Sequence, residues 1–512
     1  MQATPTAARA SSVAIAAVSV YLGGWGIYYA IQDTARRAAI RSRRRKYPLQ
    51  PRPAGLVPTR ARSASVASTA STSEEHVEGS EELPNARVVE RASPKSADVH
   101  QHMRWYGAAS AIEHQSIRSR FAPLTILGRY LNPFAEWREV GAWEFLYWKV
   151  IYTPLRYPSR LVWDGGLAKD LESEEGRKKV NNVLPVKRLD RQKLWGHEEG
   201  WEVVSSDASL PPPCAKATGT TFTWIGQSTC LVQMNGVNIL TDPVFSPQPI
   251  KSIFSPTRMR PPPCQIEDLI EERGRIDIVL ISHNHFDHID VSVIPKLSPE
   301  TCWVVPSGVR DLLERHGVLP EQITELEWWE QSMADVEVPA RNTSGTVSHV
   351  DRKVTVNAVP AMHWTGRDLL GVNRSLWNSY VVRVGGGSQD EPGLREASFF
   401  FCCDSGYSPL MFSSIGRALG PIDVAAVPIG SYMPLWHMSI QHCSPSDAVQ
   451  MALDVGARQA FGTHWGTWSM SDEAWDEPPK DLGKALDEQG LSRKYFRTLP
   501  FGETVDVIIH GK

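Results

Sequence analysis

Through the second half of the chain, apolar and β-branched residues come in blocks of four to seven, most of them halted by Gly, Pro, Asn or Asp. Residues 221–225 and 228–234 read as strands, Asn235-Gly236 is a strong hairpin signal, and 237–240 returns. The block 276–281 is apolar on both faces, as expected of a strand in the buried middle of a covered sheet. Further strands are predicted at 302–305, 354–359, 379–384, 397–403, 424–428 and 459–462, with helices at 309–316, 445–455 and 481–488. Strand and helix alternate without an internal repeat. The fold class is therefore α/β, and the strand order is compatible with two stacked sheets, one from each half.

The first half follows other rules. Residues 10–31 carry no charge and end in an aromatic-rich stretch with Trp25, Tyr28 and Tyr29, long enough to cross a hydrocarbon core. Residues 1–53 hold nine basic residues against Asp33 alone, a net of +8 in a chain of net −3, so the rest carries −11. The Arg run after the apolar stretch places the body on the non-translocated side of a single-pass anchor, with the mitochondrial inner membrane expected and an endomembrane as the alternative. A cleaved targeting peptide is the competing account of the same Ser/Ala/Arg-rich, acid-poor terminus. Pro, Ser, Ala, Thr and Glu then dominate to about residue 100, a composition that cannot bury enough apolar surface to order itself. The expected organisation is a membrane or targeting segment over 1–53, a disordered tether over 54–102, an aromatic-rich arm over 103–219 and a catalytic domain over 220–512. An acidic body argues against an enzyme built to grip a nucleic-acid backbone. Seven cysteines without a C-x-x-C pair form no disulfide framework, so a reducing compartment is expected.

Chemistry enters at the end of the 276–281 strand. The run His283-Asn284-His285-Phe286-Asp287-His288 sets three imidazoles and a carboxylate in six residues on a loop held by that strand. The device recurs downstream, where apolar strands end at His363, Asp404 and His464. Singly, each would be an ordinary structural residue. Together, five His and two Asp can bind two ions, and that donor mixture suits zinc, with iron or manganese as alternatives.

With these residues go longer signatures: 240–246 (Leu-Thr-Asp-Pro-Val-Phe-Ser), 326–330 (Leu-Glu-Trp-Trp-Glu), 404–407 (Asp-Ser-Gly-Tyr), 428–432 (Pro-Ile-Gly-Ser-Tyr), Gln441-His442 and 464–467 (His-Trp-Gly-Thr). On them the chain resembles the metallo-β-lactamase superfamily and, within it, the N-acylphosphatidylethanolamine-hydrolysing phospholipase D family. An upstream Asn132-Pro133-Phe134 followed by Trp137 is similar to that family's arm. The resemblance implies an αββα sandwich with two Zn2+ at one edge, held by His283, His285 and His363 on one side and Asp287, His288 and His464 on the other, with Asp404 bridging. Asp287, Asp404 and His464 would carry the catalysis, a metal-bridging hydroxide attacking a phosphodiester. Asp242 would orient a ligand or the hydroxide from behind, and His442 and the residue at 286 would face the substrate phosphate or headgroup. The chain departs from the family in having Phe286 for a tyrosine and Gln227 for a histidine. The implied partners are a phospholipid substrate and the bilayer, with a homodimer as the assembly to test. Trp328, Trp329, Trp364, Trp436 and Trp465 are expected in the core or along an acyl groove. A lactonase acting on a soluble substrate and a non-catalytic organiser of membrane lipid are the alternatives to the lipid phosphodiesterase.

Overall fold

The computed structural model describes residues 5–49, 105–157, 165–195, 219–252, 255–270, 275–341, 347–368, 371–386 and 394–508. In chain order its first elements are helix α1 (Pro5–Lys46), helix α2 (Ala111–Arg120), and the hairpin β1 (Leu124–Ile126) and β2 (Arg129–Leu131). The strands that follow are β3 (Thr220–Gly226), β4 (Thr229–Met234), β5 (Val237–Thr241), β6 (Ile278–Leu280), β7 (Cys302–Pro306) and β8 (Ile323–Leu326). A long hairpin, β9 (Gln331–Arg341) and β10 (Val347–Val359), leads into β11 (Ser379–Val384), β12 (Ala397–Phe401), β13 (Ile422–Pro428), β14 (Ala457–Thr463), β15 (Phe496–Arg497) and β16 (Thr504–Val507).

Among the described residues these strands form two mixed seven-stranded sheets, ordered β16-β3-β4-β5-β6-β7-β8 and β15-β14-β13-β12-β11-β10-β9. Strand side chains alternate faces, and here both faces are apolar. In the first sheet Phe222, Trp224, Val232, Ile239, Ile278 and Val304 share one core cluster with Phe399, Val424 and Phe461 of the second sheet. Their neighbours Ile225, Leu231, Leu240, Val279, Trp303 and Val305 point the other way, into a second cluster with Leu269 and Leu313 of covering helices. Phe222 stacks on Phe461 with ring centroids 4.5 Å apart, which fixes how the sheets face. The result is an α/β fold of two mixed sheets packed face to face, the class expected from the sequence.

The hairpin at Asn235-Gly236 forms as expected, pairing Met234 with Val237. β11 spans the predicted residues, whereas β12 stops at Phe401, two residues short of the expected end at 403. Cys403 there takes φ of 54°, which ends the extended run before Asp404. The largest surprise is the β9–β10 hairpin, of which only 354–359 was expected. Its outer part carries Glu337, Asp351 and Arg352 between the apolar residues, so the period-2 signal is diluted there.

Helix α1 contains the expected membrane segment 10–31, most of whose side chains lie outside the described residues. Among the described residues no helix is long and apolar enough to cross a membrane. The expected tether at 54–102 also lies outside the described residues. The basic end of α1, by contrast, is docked. Arg43 donates to the carbonyls of Ala122 and Pro123. Buried Arg36 donates to the carbonyl of Phe134 at 3.0 Å.

The segment after the β1–β2 hairpin packs by its aromatic residues. Phe134 lies 5.8 Å from Trp328 between ring centroids, and Trp148 Nε1 donates to the buried Asp472 at 2.7 Å. Its outward face stays apolar, with Trp143, Tyr147, Val150, Ile151 and Leu155 exposed beside Leu435 and Trp436.

Candidate metal centre

Strands from both sheets end at one edge, and their next residues converge there. Asp242 follows β5, His283 follows β6 by three residues, His363 follows β10, Asp404 follows β12 and His464 follows β14. Such an edge gives rigid support to loops that must hold awkward backbone. Gln227, Asp242, Cys403 and His464 all sit at positive φ (50°, 33°, 54° and 56°), which an L residue adopts only when its surroundings over-determine it. The surroundings do so here. The backbone N–H of Gln227 donates to Thr467 Oγ1 at 2.6 Å, and the N–H of His464 donates to the Gln227 carbonyl at 2.9 Å.

Among the described residues, three groups of side chains lie close enough to hold an ion, each with its ligating atoms within 4.8 Å of one another. They are His283, His285 and His363; then Asp287, His288, Asp404 and His464; then His363, Asp404 and His442. The first two groups bring together the residues that the resemblance assigns to two ions, with Asp404 falling in the second. Asp404 lies between them, with Oδ2 3.0 Å from His288 Nε2 and 3.7 Å from His363 Nε2.

The donor atoms fit metal ions better than they fit each other. His283 Nε2 is 2.8 Å from His285 Nδ1, which is 3.3 Å from His363 Nε2. One shared proton cannot satisfy three imidazole nitrogens turned on one point. His285 Nε2, His288 Nε2 and Asp404 Oδ1 are buried without a hydrogen-bond partner. Buried polar atoms left in that state need a cation or a ligand to compensate them.

Partners behind the site turn the rings. His288 Nδ1 lies 2.6 Å from Asp242 Oδ2, and Asp242 also accepts from the Ser282 N–H and hydroxyl at 2.7 and 2.6 Å. The bond to Asp242 turns the His288 ring so that Nε2 points into the site toward Asp404, 3.0 Å away. His363 donates Nδ1–H to the Gln441 carbonyl at 2.9 Å, with the same effect. Asp242 thus lies directly behind His288.

Burial holds most of the imidazoles neutral. It pushes His285 down to about 4 and His363 and His442 down to about 3, with neighbouring imidazoles adding to the effect. His464 and His288 go the other way, His464 up to about 9 and His288 well above its ordinary value, because Asp404 and Asp287, joined at His288 by Asp242, outweigh burial. Both carboxyl groups are held well below the usual range, Asp404 by His288 and His464 and Asp287 by His288, against burial that opposes their charge. The carboxylates are therefore ionised and His283, His285 and His363 uncharged, as metal ligands are, whereas His288 and His464 carry protons that an arriving cation would displace.

The other expected residues divide. Gln227 reaches into the site itself: its Nε2 is 2.8 Å from Asp287 Oδ2 and 2.7 Å from His464 Nε2. His442 is buried, 4.0 Å from Asp404, with Nδ1 unpartnered. Phe286 is half-buried under the guanidinium of Arg367, 4.0 Å from its ring centroid. Trp328, Trp329 and Trp465 are core residues, Trp364 stands edge-on to His285 at 4.3 Å, and Trp436 is exposed. The sequence reading missed Ser282, which clamps Asp242, and Arg367, whose Nη1 donates to the carbonyls of Asn284, His285 and Ile289. Ser282 adjoins the His run and could have been suspected. Nothing in the sequence marks Arg367, 82 residues from His285.

A beta-lactamase superfamily domain matches residues 237–465, and with this fold and these clusters the chain is a metallo-β-lactamase-fold hydrolase able to bind metal ions. The mitochondrial N-acyl-phosphatidylethanolamine-hydrolyzing phospholipase D of Saccharomyces cerevisiae is 29% identical over 432 residues, spanning 80% of this chain and 83% of the yeast protein. The N-acyl-phosphatidylethanolamine-hydrolyzing phospholipase D 1 of Caenorhabditis elegans is 33% identical over 295 residues, spanning 56% of this chain and 75% of that protein. An uncharacterized protein of Mycobacterium bovis is 32% identical over 321 residues. The chain belongs to the N-acyl-phosphatidylethanolamine-hydrolysing phospholipase D family.

Proposed function

We propose that the protein hydrolyses the headgroup phosphodiester of N-acylphosphatidylethanolamine-type phospholipids at a membrane surface, giving phosphatidic acid and an N-acylethanolamine. The observation that carries this is the pair of ligand groups meeting at Asp404 in a member of this family. His283, His285 and His363 would hold one ion and Asp287, His288 and His464 a second, with Asp404 shared. Zinc suits the donor set, with iron or manganese as alternatives. Two such ions would supply Lewis acidity toward the phosphate and lower the pKa of the attacking water.

The chain's own groups do the rest. The Gln227 amide, 2.8 Å from Asp287, would orient the nucleophilic water, and His442, with Nδ1 unpartnered, would meet a phosphate oxygen. Attack on phosphorus forms the new P–O bond and breaks the bond to the ethanolamine oxygen, which leaves with a proton. The exposed apolar face of 143–155 with Leu435 and Trp436 supports a bilayer as the place of reaction. Trp436 adjoins His437, and the same turn runs on to His442 at the site. A contiguous apolar patch of this kind marks an interaction surface, and Trp and Tyr suit a lipid–water interface. A single-pass anchor within α1 and residence in a mitochondrial membrane belong to the same proposal.

The test is to incubate the metal-loaded full-length protein with vesicles containing N-acylphosphatidylethanolamine and, separately, with a panel of lactones. Phosphatidic acid from the vesicles, abolished in Asp404→Asn, is the expected result. Turnover of lactones alone would overturn the lipid reading, and full cellular function of Asp404→Asn would show that hydrolysis is not the protein's role.

A further inference from the structure

His363 is the one member of its ligand group that comes from the second sheet, and its main chain is gripped from outside that sheet. Asn132, itself 1% exposed, donates Nδ2–H to the His363 carbonyl at 2.7 Å. Asn132 belongs to the loop after β2, which is pinned on one side by Phe134 packing on Trp328 and on the other by a group that holds its carbonyls. That group is on α1. The Arg36 guanidinium is 2% exposed and donates from Nη1 to the carbonyls of Phe134 at 3.0 Å and Asn132 at 3.4 Å. Its other nitrogens are held by Asp33 Oδ1 at 2.8 and 3.3 Å, which pairs the charge and sets the fork. A buried guanidinium needs such complete partnering, and a planar fork meets the two carbonyls with little freedom.

We infer that Arg36 is a positioning residue for the metal centre. By capping the carbonyls on either side of Pro133, it holds the loop from which Asn132 grips His363. The N-terminal helix is then more than an anchor or leader, since the stretch containing Asp33 and Arg36 is a working part of the hydrolase. Any processed form that keeps a competent site keeps those residues. The inference rests on the reading of His363 as a metal ligand, and the experiment separates the two.

Full-length wild-type protein, Arg36→Gln, Arg36→Lys, Arg43→Gln and His363→Ala are stripped of metal and titrated with cobalt, with the visible cobalt absorption followed and thermal unfolding measured in parallel. Arg43 is the matched control, because it joins the same helix to the carbonyls of Ala122 and Pro123, away from Asn132. Expected is cobalt binding about tenfold weaker in Arg36→Gln, as for loss of a residue supporting a ligand, with an altered absorption band and partial recovery in Arg36→Lys. Arg43→Gln should lower the melting temperature and leave cobalt affinity in place. Arg36 variants that only melt earlier while binding cobalt as wild type would overturn the inference. Arg36→Lys serves the same comparison if Arg36→Gln does not fold, and Asn132→Ala, expected to weaken cobalt binding to a similar degree, is an independent route to the same link. Unchanged cobalt binding in His363→Ala would instead sink the ligand assignment on which all of this stands.

Discussion

Asp404 Oδ2 stands within 4.0 Å of the Nε2 atoms of His283, His288, His363 and His442. Its charge therefore offsets whatever cation the imidazoles hold. Replacing it with asparagine keeps the shape and removes the charge, and we expect bound metal to fall below two per chain and turnover to drop roughly a hundredfold or more, read by elemental analysis and phosphatidic acid release. Phe286 gives the opposite kind of change. Its ring carries the Arg367 guanidinium and offers no hydrogen bond. Phe286→Tyr restores the hydroxyl usual at this place in the resembling family, so KM for the phospholipid should fall by about fivefold with metal content unchanged. An unaltered KM would show that position 286 does not meet substrate. The candidate ligands were legible because each follows an apolar strand within a few positions. The roles of Gln227, Arg367 and Arg36 were not, since a bond across 237, 82 or 98 residues leaves no local pattern.

At the scale of elements, the segment around 142–156 has an inward and an outward duty. Inward, Trp148 and Thr153 both donate to Asp472 at 2.7 Å, and Lys149 Nζ lies 3.7 Å from the same carboxylate. Burial pulls Lys149 down to about 8 from 10.5, although Asp472 and Glu473 oppose the shift. Between those two pH values the unfolded chain holds more protons than the folded one, so this group makes stability rise with pH across that window. Below pH 8 both states are protonated and the folded protein bears the full cost, on the order of 3 kcal/mol. Lys149→Met should remove this trend from wild-type unfolding curves measured between pH 8 and 10.5; parallel curves for the two proteins would count against it. Outward, Trp143 and Leu155 are 68% and 79% exposed. Replacing both with serine should weaken binding to phospholipid vesicles at least about tenfold, because two large apolar side chains are involved, while leaving hydrolysis of a short-chain, water-soluble analogue intact. Equal loss on both substrates would point to misfolding rather than to a lipid-facing surface. Aromatic density made this segment conspicuous in the sequence. Which rings turn inward could not be read there, because a short helix with one wide turn obeys no single period.

At the scale of the molecule, the α/β class, the double-sheet arrangement and most strand positions were legible because period-2 blocks and turn residues are local signals. The β9–β10 hairpin and the docking of α1 depend on contacts between segments of mixed polarity, which no such signal marks. Removing metal should lower the melting temperature by an amount that grows with the concentration of ion later restored, since an ion that binds only the native state stabilises it by mass action. The same unfolding with and without chelator would contradict a bound ion. One consequence follows from where the ligands come from. His283, His285, Asp287 and His288 hang from one sheet, and His363, Asp404 and His464 from the other. During synthesis the first sheet's strands β3 to β8 emerge well before β14, so for most of its translation the chain carries an incomplete claw. On the proposed ligand assignment, a nascent chain of this design would gain its full hold on metal only when its last ligand arrives, which would time loading to the end of folding.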